Sequence, residues 1–365
     1  MLARSGFRGP ATAVAPLAAA AWIFVQSVAG CATPRPGAQQ PVVEARMVLD
    51  EADAALAILR HRAAGQPVSD SAWQALFATE GYRRLQRRER AMRRPFEDSS
   101  FRAFIMSDTL LARTPALERT LAAWRRLDPT TSARRALAYL PPNTAIRAKI
   151  YPVIKPKTNS FVFETRTDPA IFMYLDPGVS APKLDNTLTH ELHHIGVGSV
   201  CSSVAADTTV AAPLRDALAW MSGFSEGRAV LAAAGDPVTH PHALSDSAER
   251  AIWDRDVGKV GGDVRRLQAF FTDILDGRLT EEEMNRRGFE FVATDSVPQG
   301  AFYTVGWLMA ATIEKAFGRE RVVSSICDPL AFLTDYNRTA EAWNRGPAVR
   351  LPMWSREFLD RLRAR

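Results

Sequence analysis

Thr189-His190-Glu191-Leu192-His193-His194-Ile195-Gly196 is the stretch from which the rest of this chain is read. His190, Glu191 and His194 stand in the order H-E-x-x-H, and on a helix residues four apart share one face. Both imidazoles can then reach a single Zn²⁺ at about 2.0–2.1 Å. Glu191 falls about 100° round from His190, placed to address a water molecule rather than the ion. Two neutral donors and one carboxylate free to take a proton are what a metal hydrolase requires.

A helix here is supported independently. Leu184, Leu188, Leu192 and Ile195 recur at helical spacing, on a different face from the histidine pair. One side packs on a core while the other opens on a cleft. Pro182 marks the start and Gly196 the expected end. With six His in the chain, an H-E-x-x-H by chance is roughly a one-in-200 event. His193 points to the flank of the pair, as a support for the ligands or a structural residue.

The chain has 365 residues, 47% hydrophobic and 24% charged, which is a globular balance with length for a sizeable core. Residues 1–30 read differently. Arg4 and Arg8 precede an uncharged apolar run over residues 11–28, the pattern of a secretory signal rather than a spanning helix. Val28-Ala29-Gly30-Cys31 resembles the bacterial lipoprotein cleavage box, which implies lipid on Cys31 and an exported, membrane-anchored protein. Residues 31–42, with Pro34, Pro36, Gly37 and Pro41, read as a tether.

Formal net charge is +6, and loss of the signal removes two Arg and no acid, leaving +4, so no nucleic-acid partner is implied. One local run is basic: Arg83, Arg84, Arg87, Arg88, Arg90, Arg93 and Arg94, with Glu89 the one acid among them. It reads as a solvated helix face, or as a surface for anionic lipid. If Cys31 carries lipid, Cys201 and Cys327 remain, an even pair that favours a disulfide in an exported protein.

Residues 43–142 read as helical throughout, opening with Val43-Glu44-Ala45-Arg46-Met47-Val48-Leu49 and closing at Pro141-Pro142. Further helices are expected at 100–111 and, after a break, at 115–127 and 132–140. β-Branched and aromatic residues over 146–154, 160–164 and 170–175 predict two or three strands leading into the H-E-x-x-H helix. The free edge of the last of them can pair with an extended peptide, or the strand is simply structural. A single long helix is expected from about 209 to 234, and further helices run to about 350. Residues 143–350 thus form the domain that carries the motif, and residues 351–365 read as a basic tail. The fold class is α+β, predominantly α-helical, with a small sheet before the metal helix.

A hydrolytic zinc site usually takes a third protein ligand and leaves the fourth position for water. Val197 and Val200 stand where the metzincin pattern needs Gly and His, so that solution is excluded. Glu226, in Gly223-Phe224-Ser225-Glu226-Gly227-Arg228-Ala229, is the best remaining candidate, because a carboxylate in an apolar helix is costly unless paired or metal-bound. Its small neighbours suggest close approach to the metal helix. Asp216 and Glu249 are its competitors, and a salt bridge to Arg228 is the structural alternative. Tyr303 begins an apolar helix after a loop and can supply a donor to a developing oxyanion, or serve as a buried structural tyrosine.

His190-Glu191-x-x-His194 with the downstream Ser225-Glu226-Gly227 helix resembles the gluzincin type of zinc peptidase. It is similar, more narrowly, to bacterial families described as zinc-dependent peptidases from sequence. The resemblance covers about residues 146–317 and implies a zincin-like fold, Zn²⁺ on His190, His194 and Glu226, and Glu191 as general base. Many gluzincins carry Asp four residues beyond the ligand Glu; here that position is Val230, and Asn186 is left as the candidate partner of the histidines. The expected function is a membrane-anchored zinc metallopeptidase acting on peptide or protein. A cell-wall peptide amidase and a non-catalytic lipoprotein with a structural zinc site are the alternatives.

Overall fold

The sheet is assembled from strands at two distant places in the chain. The computed structural model describes residues 41–92, 94, 96–202, 209–294, 297–346 and 349–363. The signal, Cys31 and most of the tether lie outside the described residues, as does Arg93 of the basic run. Strand β1 (Val42–Met47) pairs in parallel with β2 (Ala145–Val153), which pairs in parallel with β4 (Ala170–Tyr174). The short β3 (Phe161–Phe163) runs antiparallel to β4 at the end of the order β1-β2-β4-β3.

β1 corrects the sequence reading, which places a helix there. Ala and Leu over residues 43–56 suggest helix, but Val42 and Val43 start a strand whose partner, Ala145 onward, lies about a hundred residues away. A local pattern cannot reveal such a partner. The strand expectations over 146–154, 160–164 and 170–175 match β2, β3 and β4.

Alternation along the strands gives the sheet two apolar faces. Ile146, Ala148 and Ile150 of β2 join Ile171 and Met173 of β4 on one face. There they pack with α1 (Asp50–Ala63), α5 (Asp108–Trp124), α6 (Pro129–Leu137) and the metal-motif helix α7 (Ala181–Val200). Tyr151, Val153, Ala170 and Phe172 meet Leu85 on the other face. Each large apolar side chain so buried contributes about 1.5–3 kcal/mol.

Leu85 belongs to α3 (Glu80–Ala91), the arginine-rich helix, which follows α2 (Asp70–Ala78) and precedes α4 (Asp98–Ile105). Its reading as a solvated face holds for Arg83, Arg87 and Arg90, which are exposed, but not for Arg84. Arg84 is 1% exposed and donates to the carboxylates of Glu164 and Asp168 and to the Tyr151 hydroxyl. Arg87 bonds Glu164, and the Arg88 guanidinium sits 3.9 Å from the centre of the Phe161 ring. These arginines clamp the β3–β4 turn, a use that requires acids brought from elsewhere in the fold. Pro115 is also misread as a boundary: it lies inside α5.

After α7 come α8 (Ala212–Met221), a 3₁₀ turn over Ser222–Phe224 and α9 (Ser225–Ala234). The single long helix expected here is therefore broken in two. Gly235, at φ +88°, ends α9. Then follow α10 (Ser247–Val257), α11 (Val260–Leu275), α12 (Glu281–Glu290), α13 (Ala301–Phe317), α14 (Arg319–Ser324), α15 (Pro329–Trp343) and α16 (Arg356–Arg363). Phe224, Phe271, Phe302, Trp354 and Phe358 build a second apolar core around α13. The stretch read as a basic tail thus contributes Trp354, Phe358 and Leu362 to that core, its arginines lying on the opposite face of α16. Among the described residues no helix is long and apolar enough to cross a membrane. The fold is α+β and predominantly helical.

Candidate metal centre

Helix α7 begins where the sequence places it. Ser180 caps it by accepting from the Lys183 backbone N–H, and Pro182 lies in the first turn. Leu184, Leu188, Leu192 and Ile195 are all buried to 1% exposure or less, so the predicted stripe is the packed face. Gly196 does not end the helix, which continues to Val200. It is there for contact: a Cβ would stand 2.3 Å from Leu140 Cδ1. Cys201 caps the helix and is bridged to Cys327, fixing its C-terminal end to the loop after α14.

Glu226 lies in the first turn of α9, where the helix dipole favours a carboxylate. The glycines around it do not serve the approach to α7 that the sequence suggests. A Cβ on Gly227 would stand 2.1 Å from Trp307 N, and one on Gly223 would stand 2.9 Å from the Phe302 ring, both on α13. The close crossing is α9 on α13, and it presents Glu226 toward α7 from behind.

The three side chains meet. Glu226 Oε2 is 3.2 Å from His190 Nε2 and 3.1 Å from His194 Nε2, and the two Nε2 atoms are 3.1 Å apart. A tetrahedral ion with bonds of about 2.0–2.1 Å has ligand-to-ligand edges of about 3.3 Å. The observed triangle has that size, and two nitrogens with one carboxylate oxygen are a zinc donor set. The residues fit the ion. Glu226 does not pair with Arg228, whose guanidinium donates to the Ser325 and Ile326 carbonyls and lies over Phe332. Asp216, on α8, and Glu249, which bonds Lys183 Nζ at 2.6 Å, stand outside the cluster.

The electrostatics follow from this convergence. Burial alone would raise the Glu226 carboxyl, but the charge of His194 and hydrogen bonds from both imidazoles hold it well below the usual range. Burial would depress His194, yet the Glu226 charge and hydrogen bond, with Glu191 beyond, raise it to about 9. Glu191 is shifted upward chiefly by burial, with the nearby histidines opposing. His193 is fully buried and kept neutral by that burial.

A cleft of about 390 Å³ opens over the cluster, lined by His190, Glu191 and Tyr303, with Asn159 and Ser160 at the entry to β3. The Tyr303 ring lies parallel to the His190 ring, with centroids 6.0 Å apart. Burial, and then the charges of Glu226 and Glu191, hold its hydroxyl protonated far above neutral pH. Asn186 also lines the cleft, and its amide NH₂ donates to the Ala233 carbonyl. Val230 contributes apolar wall where many gluzincins have Asp. β4, read from sequence as open-edged, is paired on both sides, and among the described strands the edges are β3 and β1.

Sequence reasoning missed His242 and Gln299, which form part of the same cleft. A signal for His242 exists in Thr239-His240-Pro241-His242, which holds two of the six histidines. Gln299 carries none.

Residues 73–345 match the family described as "Putative zinc dependent peptidase (DUF5700)", and the chain belongs to that family. No curated protein and no solved structure matches the chain.

Proposed function

We propose that the protein is a zinc-dependent peptidase, exported as a lipoprotein held to a membrane by lipid on Cys31. The observation that carries the reading is the 3.1–3.2 Å triangle of His190, His194 and Glu226 with Glu191 beside it in an open cleft. His190, His194 and Glu226 would hold the metal. Zinc, when bound, lowers the pKa of water toward 7 and polarises a carbonyl. Glu191 then takes a proton from the attacking water on its carboxylate and delivers it to the leaving amine nitrogen. Tyr303, protonated, donates its hydroxyl hydrogen to the developing oxyanion.

Substrate direction follows from the sheet. Asn159 and Ser160 line the cleft where the chain enters β3, and among the described residues no strand pairs with the outer edge of β3. An extended peptide can add to that edge through backbone hydrogen bonds, its scissile carbonyl carried over α7.

The test is hydrolysis of a quenched fluorogenic oligopeptide library, alongside peptidoglycan fragments, with and without a chelator. Cleavage of the library that a chelator removes and zinc restores supports the peptidase. Cleavage of peptidoglycan alone favours the cell-wall amidase, and bound zinc with no cleavage of either favours a structural site. For the anchor, Cys31→Ser is expected to move the protein out of the membrane fraction.

A further inference from the structure

The wall of the cleft that the mechanism leaves unused carries a chain of hydrogen bonds whose direction can be deduced. Lys183 on α7 donates to Glu249 Oε2 at 2.6 Å and also to the Ser245 hydroxyl oxygen. Ser245 Oγ lies 2.9 Å from His242 Nδ1, and His242 Nε2 lies 2.7 Å from Gln299 Oε1. The Gln299 atom facing the ring is its carbonyl oxygen, which can only accept, so His242 Nε2 carries a proton there; an ammonium can only donate, so the Ser245 proton does not go to Lys183. With the ring neutral and its proton on Nε2, His242 Nδ1 is bare and accepts from the Ser245 hydroxyl. The Glu249 carboxylate, which keeps lone pairs beyond the one Lys183 takes, is a second acceptor beside that hydroxyl.

With Nδ1 accepting, the His242 proton resides on Nε2 and is donated to Gln299. Burial first, and the positive charge of Lys183, keep the ring neutral, as a single ring proton requires. The Gln299 carbonyl is thus occupied and its amide orientation fixed. Among the described residues its NH₂ group finds no partner, although Gln299 is only partly exposed and lines the metal cleft. A half-buried donor held in one orientation beside a catalytic cleft lacks only an acceptor.

We infer that Gln299 is a substrate-positioning residue whose amide NH₂, oriented through Lys183, Ser245 and His242, donates to a backbone carbonyl oxygen of the bound peptide. The inference rests on the peptidase reading for its substrate. The orientation of the chain does not. Gln299 stands at the end of the loop before α13, two turns short of Gly306, and Tyr303 lies one turn into that helix. The same element therefore carries both the oxyanion donor and the amide, so the two are held in fixed relation.

Two measurements on the full protein separate the parts. The first is the imidazole ¹⁵N spectrum, with the His242 signals assigned by their loss in His242→Gln. It is expected to show Nε2 protonated and Nδ1 bare in the parent and in Ser245→Thr, and a mixture in Ser245→Ala. Protonation on Nδ1 in the parent overturns the chain of donors whatever the activity. The second is steady-state hydrolysis of the most rapidly cleaved library peptide. Gln299→Leu, and Gln299→Glu, which keeps an acceptor for His242, are each expected to raise KM about tenfold, the worth of one hydrogen bond, with kcat within about threefold and zinc content unchanged. Ser245→Ala is expected to raise KM several-fold and Ser245→Thr to restore it. A KM within twofold of the parent in both Gln299 variants overturns the substrate contact. A parent that binds zinc but cleaves no peptide fails the peptidase reading and takes the substrate contact with it, while the tautomer result still judges the chain of donors.

Discussion

Gly227 of α9 lies against Gly306 of α13 so closely that a Cβ on Gly227 would come within 2.5 Å of the Gly306 Cα. The obstructing atoms are backbone, which cannot swing aside. This contact sets the height of α9 and with it the position of Glu226, the residue just before Gly227.

Gly227→Ala is therefore expected to act on the metal centre as well as on stability. Overpacking costs about 1–3 kcal/mol, and here the neighbours cannot repack. A Tm lowered by several degrees and weakened zinc binding should appear together. Gly261→Ala, where a Cβ meets nothing within 4 Å, serves as the control and should leave both unchanged or raise Tm slightly. A Gly227→Ala protein with parental Tm and zinc affinity would contradict the argument.

Glu226→Gln is expected to weaken zinc retention and hydrolysis together, since an amide oxygen is a poorer donor to zinc than a carboxylate. Asp216→Asn and Glu249→Gln should retain the metal, because neither acid belongs to the cluster. Zinc remaining after dialysis against a weak chelator, compared across the three variants, checks this. Loss in either control with retention in Glu226→Gln would refute the ligand assignment.

Much of the metal helix is legible in sequence because its information is local. The i, i+4 histidines and the leucine stripe fix which face packs and which faces the cleft. Glu226 is legible for a different reason, the cost of an unpaired carboxylate in an apolar helix. What escapes the sequence is long-range pairing. Val42 and Val43 form a strand because Ala145 and Ile146 lie beside them, and Arg84 is buried because Glu164 and Asp168 converge on it. The glycines next to Glu226 are noticed but assigned to the wrong neighbour, since nothing local says that α13 is the close helix. Gln299 acquires its place only through His242, a residue 57 positions away.

The Cys201–Cys327 bridge closes a loop with a sequence separation of 126 at the C-terminal end of the metal helix. Its removal by Cys201→Ser with Cys327→Ser is expected to cost about 2–5 kcal/mol. Thermal unfolding with and without a reductant provides the check: the parent should lose stability on reduction, and the double variant should not respond.

Glu51 gives the fold a pH dependence of definite sign. Its side chain is 1% exposed, with Oε2 accepting from the Ile154 N–H at 3.0 Å and Oε1 unpartnered. Burial raises it from 4.5 to about 8 against the pull of that N–H. A folded-state pKa above the unfolded one means stability fully present below about 4.5 and lost as pH rises toward 8. Parent stability should fall between pH 5 and 8 relative to Glu51→Gln by an amount on the order of a few kcal/mol, read as a lowered Tm. Lys155, brought down to about 8 by burial, acts in the alkaline window above that, and the histidines and Glu191 of the metal centre are the same in both proteins, so the difference between the two curves isolates Glu51. Parallel Tm curves for the two proteins would contradict the assignment.

The most direct test of the central claim is Glu191→Gln, assayed for bound zinc and for peptide hydrolysis on the same preparation. Glu191 lies in the cleft beside the His190–His194–Glu226 cluster without belonging to it, so its amide should leave the ligands undisturbed. An amide cannot take a proton from water, and loss of a general base lowers turnover by about 10²–10⁴. The account predicts zinc content equal to the parent and hydrolysis reduced by that factor. Hydrolysis near the parental rate with zinc still bound would contradict it.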